Sequence, residues 1–307
     1  LADLRETAGL TQRQLAEKIN TTQSAVARIE AGRQNVSADM LRRISKALGK
    51  NLITLSPGTV NIAIEGGRPL SGTIATNTSK NGAVALLCAS LLNRGTTTLH
   101  RMPRIEEVHR IIEVLESIGV RVEWRGQSVS LTPPAQFDLS AIDTVAARKT
   151  RSIVMFIGAL MHHLDQFAIP QSGGCKLGSR TVRPHFYALE HFGVDIATTE
   201  TDYEVRVTPQ EPDKIILYES GDTVTENALF AAAGRTTPTT IKYASANYMV
   251  QEVCSFLRTL GVTISGVGTT TLSVTGCAHI AKDVEYTLSE DPTDSMFFIA
   301  AAIVTNS

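Results

Sequence analysis

The chain has 307 residues, of which 43% are hydrophobic and 19% charged, and its formal net charge is −1. This composition is ordinary for a soluble globular protein with two or three domains. There is no run of 18 or more apolar residues and no basic-then-apolar leader, so we expect a cytoplasmic protein without a membrane partner.

Charges and cysteines are unevenly spread along the chain. Residues 1–58 hold nine Lys or Arg against five Asp or Glu, so the front is basic and the remainder mildly acidic. The cysteines lie far apart, with no C-x-x-C pair, at Cys88, Cys175, Cys254 and Cys277. This spacing favours free thiols over a zinc site or a disulfide framework.

Residues 1–50 predict a compact helical bundle, because apolar residues recur at helical spacing in four short stretches. Thr11 is placed to cap the second helix, and Asn20-Thr21-Thr22 supplies a turn and a cap before the third helix. Gly32 is expected to end that third helix. Helix, tight turn and helix is the layout of helix-turn-helix DNA-binding domains.

Two motifs carry a resemblance to the Cro/repressor helix-turn-helix family: Leu10-Thr11-Gln12-x-x-Leu15-Ala16-x-x-Ile19 and Gln23-Ser24-x-Val26-x-x-Ile29-Glu30-x-Gly32. The resemblance implies that residues 1–55 bind double-stranded DNA with the third helix in the major groove. That helix would present four residues to bases and phosphates: Gln23, Ser24, Ala27 and Arg28. Bundles of this kind also serve as dimerisation or protein-binding modules, and the sequence leaves that alternative open.

A repeat of about 70 residues follows a short linker at residues 56–59. Each unit opens with an apolar, Ala-rich helix, and these openings lie at residues 80–87, 151–160, 226–233 and 294–303. Each complete unit also has a second helix that ends in Gly-Val, at Gly119-Val120, Gly193-Val194 and Gly261-Val262. Three complete repeats are therefore predicted, and a fourth stops within a helix at Ser307.

This threefold pattern resembles the enolpyruvyl transferase fold, a mixed α/β (α+β) architecture of repeated two-helix, four-strand units, here preceded by a small all-α bundle. In that fold two three-unit domains face each other across a cleft. The resemblance implies one such domain over residues 80–288, with residues 60–79 and 289–307 belonging to a second, incomplete domain. We therefore expect a C-terminally truncated chain with little or no turnover of its own.

Cys175 lies in a Gly-rich stretch, Gly173-Gly174-Cys175-Lys176-Leu177-Gly178-Ser179-Arg180. Glycines favour a mobile loop, and flanking basic side chains favour the thiolate, although composition alone leaves open a structural cysteine. Cys88 and Cys254 lie in apolar stretches, as buried cysteines do. The pattern G-G-C-x-x-G-x-R resembles the catalytic loop of the UDP-N-acetylglucosamine enolpyruvyl transferases, which the sister enolpyruvylshikimate phosphate synthases lack.

Further motifs match that family in chain order: Gly66-Gly67-x-Pro69-Leu70-Ser71-Gly72, Ser79-Lys80-Asn81, Arg151 and Asp291. The resemblance implies binding of phosphoenolpyruvate, whose phosphate and carboxylate need cations and helix N-termini, by Lys80, Asn81, Arg151 and Arg180. For UDP-N-acetylglucosamine it implies Arg151, Arg180, Thr181, Val182, Asp222, Thr223 and Asp291.

The implied reaction adds the sugar 3-hydroxyl to C2 of phosphoenolpyruvate and then eliminates phosphate, without metal or cofactor. Cys175 would protonate C3, and Asp291 would accept the hydroxyl proton. Asp291 followed by Pro292 also fits a helix N-cap, and the two roles are compatible. The reaction begins peptidoglycan synthesis, on which cell shape and division depend, and fosfomycin alkylates the loop cysteine of this family.

Some positions depart from the family pattern where the nucleotide would bind. They are Thr181-Val182-Arg183-Pro184-His185, Glu219, and Ala246-Asn247-Tyr248-Met249. Two alternatives therefore stay open: a transferase with another acceptor, and a DNA-binding regulator with a metabolite-sensing body.

The histidines do not predict a metal site. His162 and His163 are adjacent on a helix and so point to different faces, and neither they nor His185 and His191 have a carboxylate or Cys at ligand spacing.

Overall fold

The structure is a computed structural model that describes residues 1–34, 36–49, 69–171 and 181–307. Its contacts divide the chain into two compact units. The first unit comprises residues 1–76, 104–109 and 293–307, and the second comprises residues 77–103 and 110–292. The predicted linker at residues 56–59 and the first two glycines of the next motif, Gly66 and Gly67, lie outside the described residues, whereas residues 69–72 of that motif are described and exposed.

Helices and strands alternate through most of the described chain. The α-helices are α1 (Ala2–Thr7), α2 (Gln12–Lys18), α3 (Gln23–Glu30), α4 (Ala38–Leu48), α5 (Lys80–Ala89), α6 (Glu106–Ser117), α7 (Thr144–Ala147), α8 (Phe156–Leu160), α9 (Arg183–Glu190), α10 (Asp222–Ala233), α11 (Tyr248–Thr259) and α12 (Pro292–Val304). Short 3-10 helices cover Ser90–Leu92, Leu139–Ala141 and Arg151–Met155. The strands are β1 (Thr97–His100), β2 (Arg121–Arg125), β3 (Ser128–Thr132), β4 (Gln166–Pro170), β5 (Val194–Thr198), β6 (Asp202–Val207), β7 (Lys214–Ile216), β8 (Thr239–Lys242), β9 (Thr263–Ser265), β10 (Thr271–Thr275) and β11 (Val284–Thr287).

The predicted N-terminal bundle is confirmed by α1 to α4. Thr11 accepts a hydrogen bond from the backbone N–H of Gln14, and the Gln14 side chain accepts one from the Thr11 N–H, which makes a capping box. Thr22 caps α3 by accepting from the Ala25 N–H. Helix α3 then ends just before Gly32, as the sequence predicts. Local cap chemistry therefore determines where α2 and α3 begin.

The bundle has a small core of its own, which α2, α3 and α4 form together. Its buried members are Leu15, Ala16, Ile19, Val26, Met40, Ile44 and Leu48. Burial of a Leu, Ile or Met side chain contributes roughly 1.5–3 kcal/mol.

Three sheets repeat one strand arrangement within the second unit. Their strand orders are β11-β1-β3-β2, β4-β6-β5 and β7-β8-β10-β9. In each sheet the last strand of the repeat pairs antiparallel with both the first and the middle one. The middle sheet has three strands among the described residues, where the sequence predicts four.

Strand β11 closes the second unit by returning to its first sheet. It follows the third repeat in sequence, yet it pairs parallel with β1, with Thr97 opposite Val284. It thereby takes the place beside β1 that β7 takes beside β8 in the third sheet. Just after β11 the backbone N–H of Asp291 donates to the carbonyl of Asn77 at 2.8 Å, so residues 77 and 291 lie side by side.

The apolar helices α5, α8 and α10 contact one another at the centre of the second unit. Nearly all of their residues are buried. Two predicted starts need correction. Helix α10 begins at Asp222 rather than at residue 226. The apolar pattern missed its first turn, because Asp222-Thr223-Val224-Thr225 is rich in polar and β-branched residues. The helix predicted from residue 151 runs as a 3-10 helix to Met155 before α8.

Glycine ends the second helix of each repeat, as the Gly-Val motifs predict. Gly119, Gly193 and Gly261 all have positive φ, at 100°, 81° and 102°. At Gly193 a Cβ atom would lie 1.8 Å from the carbonyl oxygen of Thr208, so this turn admits no side chain.

The fourth apolar helix, predicted over residues 294–303, is present as α12. None of its residues is buried, and its exposed side chains include Met296, Phe297 and Ile303. Within the described ranges, no helix combines the length and the apolar character that crossing a membrane requires.

Candidate functional site

Helix α5 begins with the predicted Ser79-Lys80-Asn81 motif. The Ser79 hydroxyl caps the helix by accepting from the Gly82 N–H at 3.1 Å. Lys80 and Asn81 are exposed, whereas the helix is buried from Gly82 onward. A helix N-terminus presents unpaired N–H groups and partial positive charge, to which Lys80 adds a full charge. The start of α5 therefore suits a phosphate or carboxylate.

Tyr248, the first residue of α11, links the start of α5 to Asp291. The Ser79 hydroxyl donates to the Tyr248 oxygen at 3.4 Å, and the Tyr248 hydroxyl donates to Asp291 Oδ1 at 3.1 Å. The structure therefore brings the Lys80 and Asp291 segments together at one end of the second unit. Sequence reasoning noted Tyr248 only as a departure from the family pattern. A hydroxyl-bearing side chain at a helix start was the available signal.

Arg151 and Thr181 also come together. Arg151 begins its 3-10 helix, and its Nη2 donates to the Thr181 carbonyl at 2.9 Å. Thr181 is exposed and Val182 is half-buried, just ahead of α9. Cys175 and Arg180 lie outside the described residues, so their roles remain predictions from the sequence.

His185 couples the start of α9 to the start of α10. It is 2% exposed, and its Nδ1 lies 3.3 Å from Asn227 Nδ2 while its Nε2 lies 3.3 Å from Thr223 Oγ1. Asn227 uses its Oδ1 to accept from the Gly158 N–H, so its amide nitrogen donates to His185. Nδ1 is then the acceptor and Nε2 carries the proton of a neutral ring. Burial, together with the nearby Arg151 charge, lowers the pKa of His185 to about 3.

Asp222 organises the start of α10. Its Oδ1 accepts from the Ser245 hydroxyl at 2.5 Å and its Oδ2 from Asn247 Nδ2 at 3.1 Å. The neighbouring Thr223 is exposed. Asp222 is thus hydrogen-bonded to the segment that leads into α11, the helix that begins with Tyr248.

Glu226 lies one turn further along α10 and is 2% exposed. Its Oε1 makes no hydrogen bond within the described part of the chain. Burial, with a smaller contribution from the Asp222 charge, raises the pKa of Glu226 to about 8. The side chain is therefore a protonated carboxylic acid at neutral pH.

The adjacent His162 and His163 contact different elements of the second unit. Nε2 of His162 lies 2.9 Å from the Phe230 carbonyl and Nε2 of His163 lies 2.8 Å from the Leu91 carbonyl, so the adjacent rings point to different partners. Burial is the main cause that lowers the pKa of each to about 4. Cys88 and Cys254 are buried, as their apolar surroundings predict, and burial raises the pKa of Cys254 to about 12.

A line of polar contacts supports the start of α3 in the N-terminal bundle. The exposed Gln23 donates through Nε2 to Gln12 Oε1 at 2.6 Å, and Gln12 donates to Glu30 Oε2 at 2.8 Å. Arg5 holds Glu30 at 2.6 Å, and this hydrogen bond lowers the pKa of Glu30. Sequence reasoning missed Gln12 as a support for Gln23, although both residues are in the motifs that carried the family resemblance.

The remaining predicted DNA-contacting residues lie on the same helix. Ser24 and Ala27 are half-buried. Arg28 donates from Nε to Gln34 Oε1 at 3.0 Å, so its guanidinium lies along the bundle.

Comparisons with known proteins assign two segments. Residues 64–307 match the family model of EPSP synthase (3-phosphoshikimate 1-carboxyvinyltransferase), and residues 1–55 match a helix-turn-helix model. The UDP-N-acetylglucosamine 1-carboxyvinyltransferase of Bradyrhizobium diazoefficiens is 29% identical over 248 residues, which cover 81% of this chain and 57% of the relative. Its namesake in Treponema denticola is 32% identical over 244 residues, covering 79% and 56%. The chain thus spans little more than half the length of these curated relatives.

Solved structures show the same fold. The enolpyruvyl transferase NikO from Streptomyces tendae superimposes with a TM-score of 0.64 at 18% identity, covering 77% of this chain and 56% of NikO. EPSP synthase from Acinetobacter baumannii gives a TM-score of 0.60 at 17% identity, covering 77% and 54%. Because the family model matches residues 64–307, the chain belongs to the EPSP synthase (3-phosphoshikimate 1-carboxyvinyltransferase) family, with a helix-turn-helix segment ahead of the family domain.

Proposed function

We propose that the protein transfers the enolpyruvyl group of phosphoenolpyruvate to the 3-hydroxyl of UDP-N-acetylglucosamine and releases phosphate. The observation that carries the proposal is a set of hydrogen bonds in the second unit. Tyr248, at the start of α11, joins Ser79 at the start of α5 to Asp291, and the preceding Asn247 donates to Asp222 at the start of α10. The relatives at 29% and 32% identity that bear the name UDP-N-acetylglucosamine 1-carboxyvinyltransferase support this choice of acceptor. In a bacterial cell this reaction would serve peptidoglycan synthesis.

Charge explains how these residues would bind phosphoenolpyruvate. Lys80 and Asn81 at the N-terminus of α5, with Arg151 and Arg180, supply cations and hydrogen-bond donors for its phosphate and carboxylate. The same cations stabilise the negative charge of the tetrahedral intermediate. The acceptor would lie against Thr181, Val182, Asp222 and Thr223.

Two side chains are proposed to move protons. Cys175 donates a proton to C3 of phosphoenolpyruvate while the sugar oxygen bonds to C2, and Asp291 accepts the proton of the sugar hydroxyl. In the elimination step phosphate leaves C2 and a proton passes from C3 to the solvent, which restores the C2–C3 double bond of the enolpyruvyl ether. The hydrogen bond from Tyr248 orients the Asp291 carboxylate. Asp294, in the first turn of α12, is a second carboxylate of this segment and the natural comparison for Asp291.

Selective alkylation of Cys175 tests the proposed phosphoenolpyruvate site. We expect fosfomycin to label Cys175 in the full-length protein and phosphoenolpyruvate to protect it, as read by peptide mass spectrometry. Cys277, which is partly exposed, serves as the internal control thiol, and Cys88 and Cys254 are buried. Equal labelling of Cys175 and Cys277, or labelling that phosphoenolpyruvate does not reduce, would count against the proposal.

A second function, DNA binding, is favoured by the exposed Gln23 and its support from Gln12. We propose that residues 1–55 bind double-stranded DNA through α3 and that the basic charge of this segment contributes contacts to phosphates. The transferase body would then act with a DNA-binding domain on the same chain. Two alternatives compete with the UDP-N-acetylglucosamine transferase: a DNA-binding regulator that senses a UDP-sugar without turnover, and a transferase with another acceptor.

A further inference from the structure

An exposed group of aromatic side chains lies in the second unit near the residues proposed for the acceptor. It consists of Tyr187 and His191 of α9 and of Tyr218, which follows β7; these three residues are called the aromatic patch. The ring centroids of Tyr187 and Tyr218 are 6.1 Å apart, and those of Tyr187 and His191 are 5.0 Å apart. Tyr218 is 72% exposed and Tyr187 is 37% exposed.

The three rings of the aromatic patch contact one another through Tyr187. His191 Nδ1 donates to the Tyr187 carbonyl at 2.8 Å, which fixes the imidazole edge-on to the Tyr187 ring. The Tyr187 and Tyr218 rings meet at 63°, so they form two walls of an open corner rather than a closed stack. Aromatic rings carry a large apolar area, and contiguous exposed apolar surface marks a site of interaction, so the aromatic patch is a candidate binding surface.

Position connects the aromatic patch to the acceptor. Val182 precedes Tyr187 by five residues at the start of α9, a rise of about 7 Å along a helix. Asp222 follows Tyr218 by four residues at the start of α10. The hydrogen-bonding contact between His185 and Thr223 holds these two helix starts together. The aromatic patch therefore lies next to both segments proposed to bind the UDP-sugar.

We propose that the aromatic patch binds the planar base of the nucleotide acceptor by stacking; this proposal rests on the proposed transferase function. Every nucleobase has a π-face that stacks on an aromatic ring, whereas the ribose and the diphosphate do not. The stacking surface would also explain how a nucleotide binds here although Thr181, Arg183 and Glu219 depart from the pattern of the family. Uracil is the base expected from the proposed acceptor, and adenine is the alternative that binding distinguishes.

The test is titration calorimetry of the full-length protein with uridine diphosphate, adenosine diphosphate and inorganic pyrophosphate. Tyr218→Ala is expected to weaken uridine diphosphate binding by about 5- to 100-fold, the loss that removal of a stacking aromatic causes. Tyr218→Phe keeps the ring and should bind within about twofold of the wild type. Pyrophosphate lacks a base, so its affinity should not change in either variant.

Tyr243 provides the matched control, because it is 53% exposed in the same unit. Its φ is +61°, which Asn adopts readily, so Tyr243→Asn removes an exposed ring without backbone strain. Unchanged uridine diphosphate affinity in Tyr218→Ala, or an equal loss in Tyr243→Asn, would overturn the proposal. Tyr218-dependent binding that is tighter for adenosine diphosphate would support the stacking site and identify adenine as the base.

Steady-state kinetics separates this proposal from the proposed function. If Tyr218→Ala raises the KM for the UDP-sugar with little change in the KM for phosphoenolpyruvate, both proposals hold. UDP-sugar-dependent phosphate release that Tyr218→Ala leaves unchanged would sink the stacking site alone. Tyr218-dependent nucleotide binding in a protein that releases no phosphate would sink the transferase alone.

Discussion

At the scale of single residues, two buried ionisable side chains give the second unit opposite responses to pH. The pKa of His185 is about 3, below the ordinary 6.5, so the unfolded chain takes up this proton first as pH falls below 6.5. The pKa of Glu226 is about 8, above the ordinary 4.5, so the unfolded chain ionises first as pH rises above 4.5. Stability is therefore lost towards acid through His185 and towards alkali through Glu226.

Glu226→Gln should remove the alkaline loss. Because Gln cannot ionise, the free energy of unfolding of the variant, relative to that of the wild type, should rise between pH 4.5 and 8 by roughly 1 kcal/mol per pH unit. Urea titrations at pH 5, 6.5 and 8 measure this difference. Parallel pH profiles for the two proteins would show that Glu226 ionises normally in the folded state.

At the scale of elements, the turn at Gly193 after α9 leaves less room for a side chain than the matching turns at Gly119 and Gly261. Gly193→Ala would place a methyl group against the Thr208 carbonyl in a left-handed conformation, so we expect a loss of several kcal/mol or failure to fold. Gly126→Ala is the control, since Gly126 also has positive φ, +62°, but open space around its Cα. It should cost about 1 kcal/mol. Equal thermal shifts in the two variants would contradict this.

Helix α3 carries the prediction on DNA. After an operator has been selected from random duplexes, Gln23→Ala should weaken binding by about 5- to 100-fold, the cost of one base contact. Gln12→Ala should cause a smaller loss, because it removes the support at 2.6 Å rather than the contact. Glu17→Gln, on the exposed face of α2, is the control. Binding that ignores Gln23 would favour a dimerisation or protein-binding role for the bundle.

Local chemistry made most elements predictable from the sequence. Caps at Thr11 and Thr22 and the glycine stops act within a few residues, so the sequence alone placed those helix ends. The start of α10 was missed because Asp222 and Thr223 lie outside the apolar pattern. The pairing of β11 with β1 joins residues almost 200 positions apart, and no local signal encodes it.

At the scale of the whole molecule, the candidate site depends on contacts between distant segments. Motifs pointed to Lys80, Arg151 and Asp291 one by one. The Tyr248 link between the Lys80 and Asp291 segments, and the separate contact of Arg151 with Thr181, follow from the packing of segments distant in sequence. The same limit applies to His185, which the sequence marked only as part of a divergent stretch. The hydrogen bonds of Tyr248 and His185 are therefore known from tertiary contacts and not from single-residue motifs.

The most direct test of the transferase is phosphate release from phosphoenolpyruvate by the full-length protein, with and without UDP-N-acetylglucosamine. We predict phosphate release that requires the UDP-sugar and is lost in Cys175→Ala. In Asp291→Asn the rate of release should fall by about 100-fold or more, the usual contribution of a general base. A greater loss in Asp294→Asn than in Asp291→Asn would transfer the base role to Asp294. No UDP-sugar-dependent release, or release that Cys175→Ala retains in full, would contradict the proposed function.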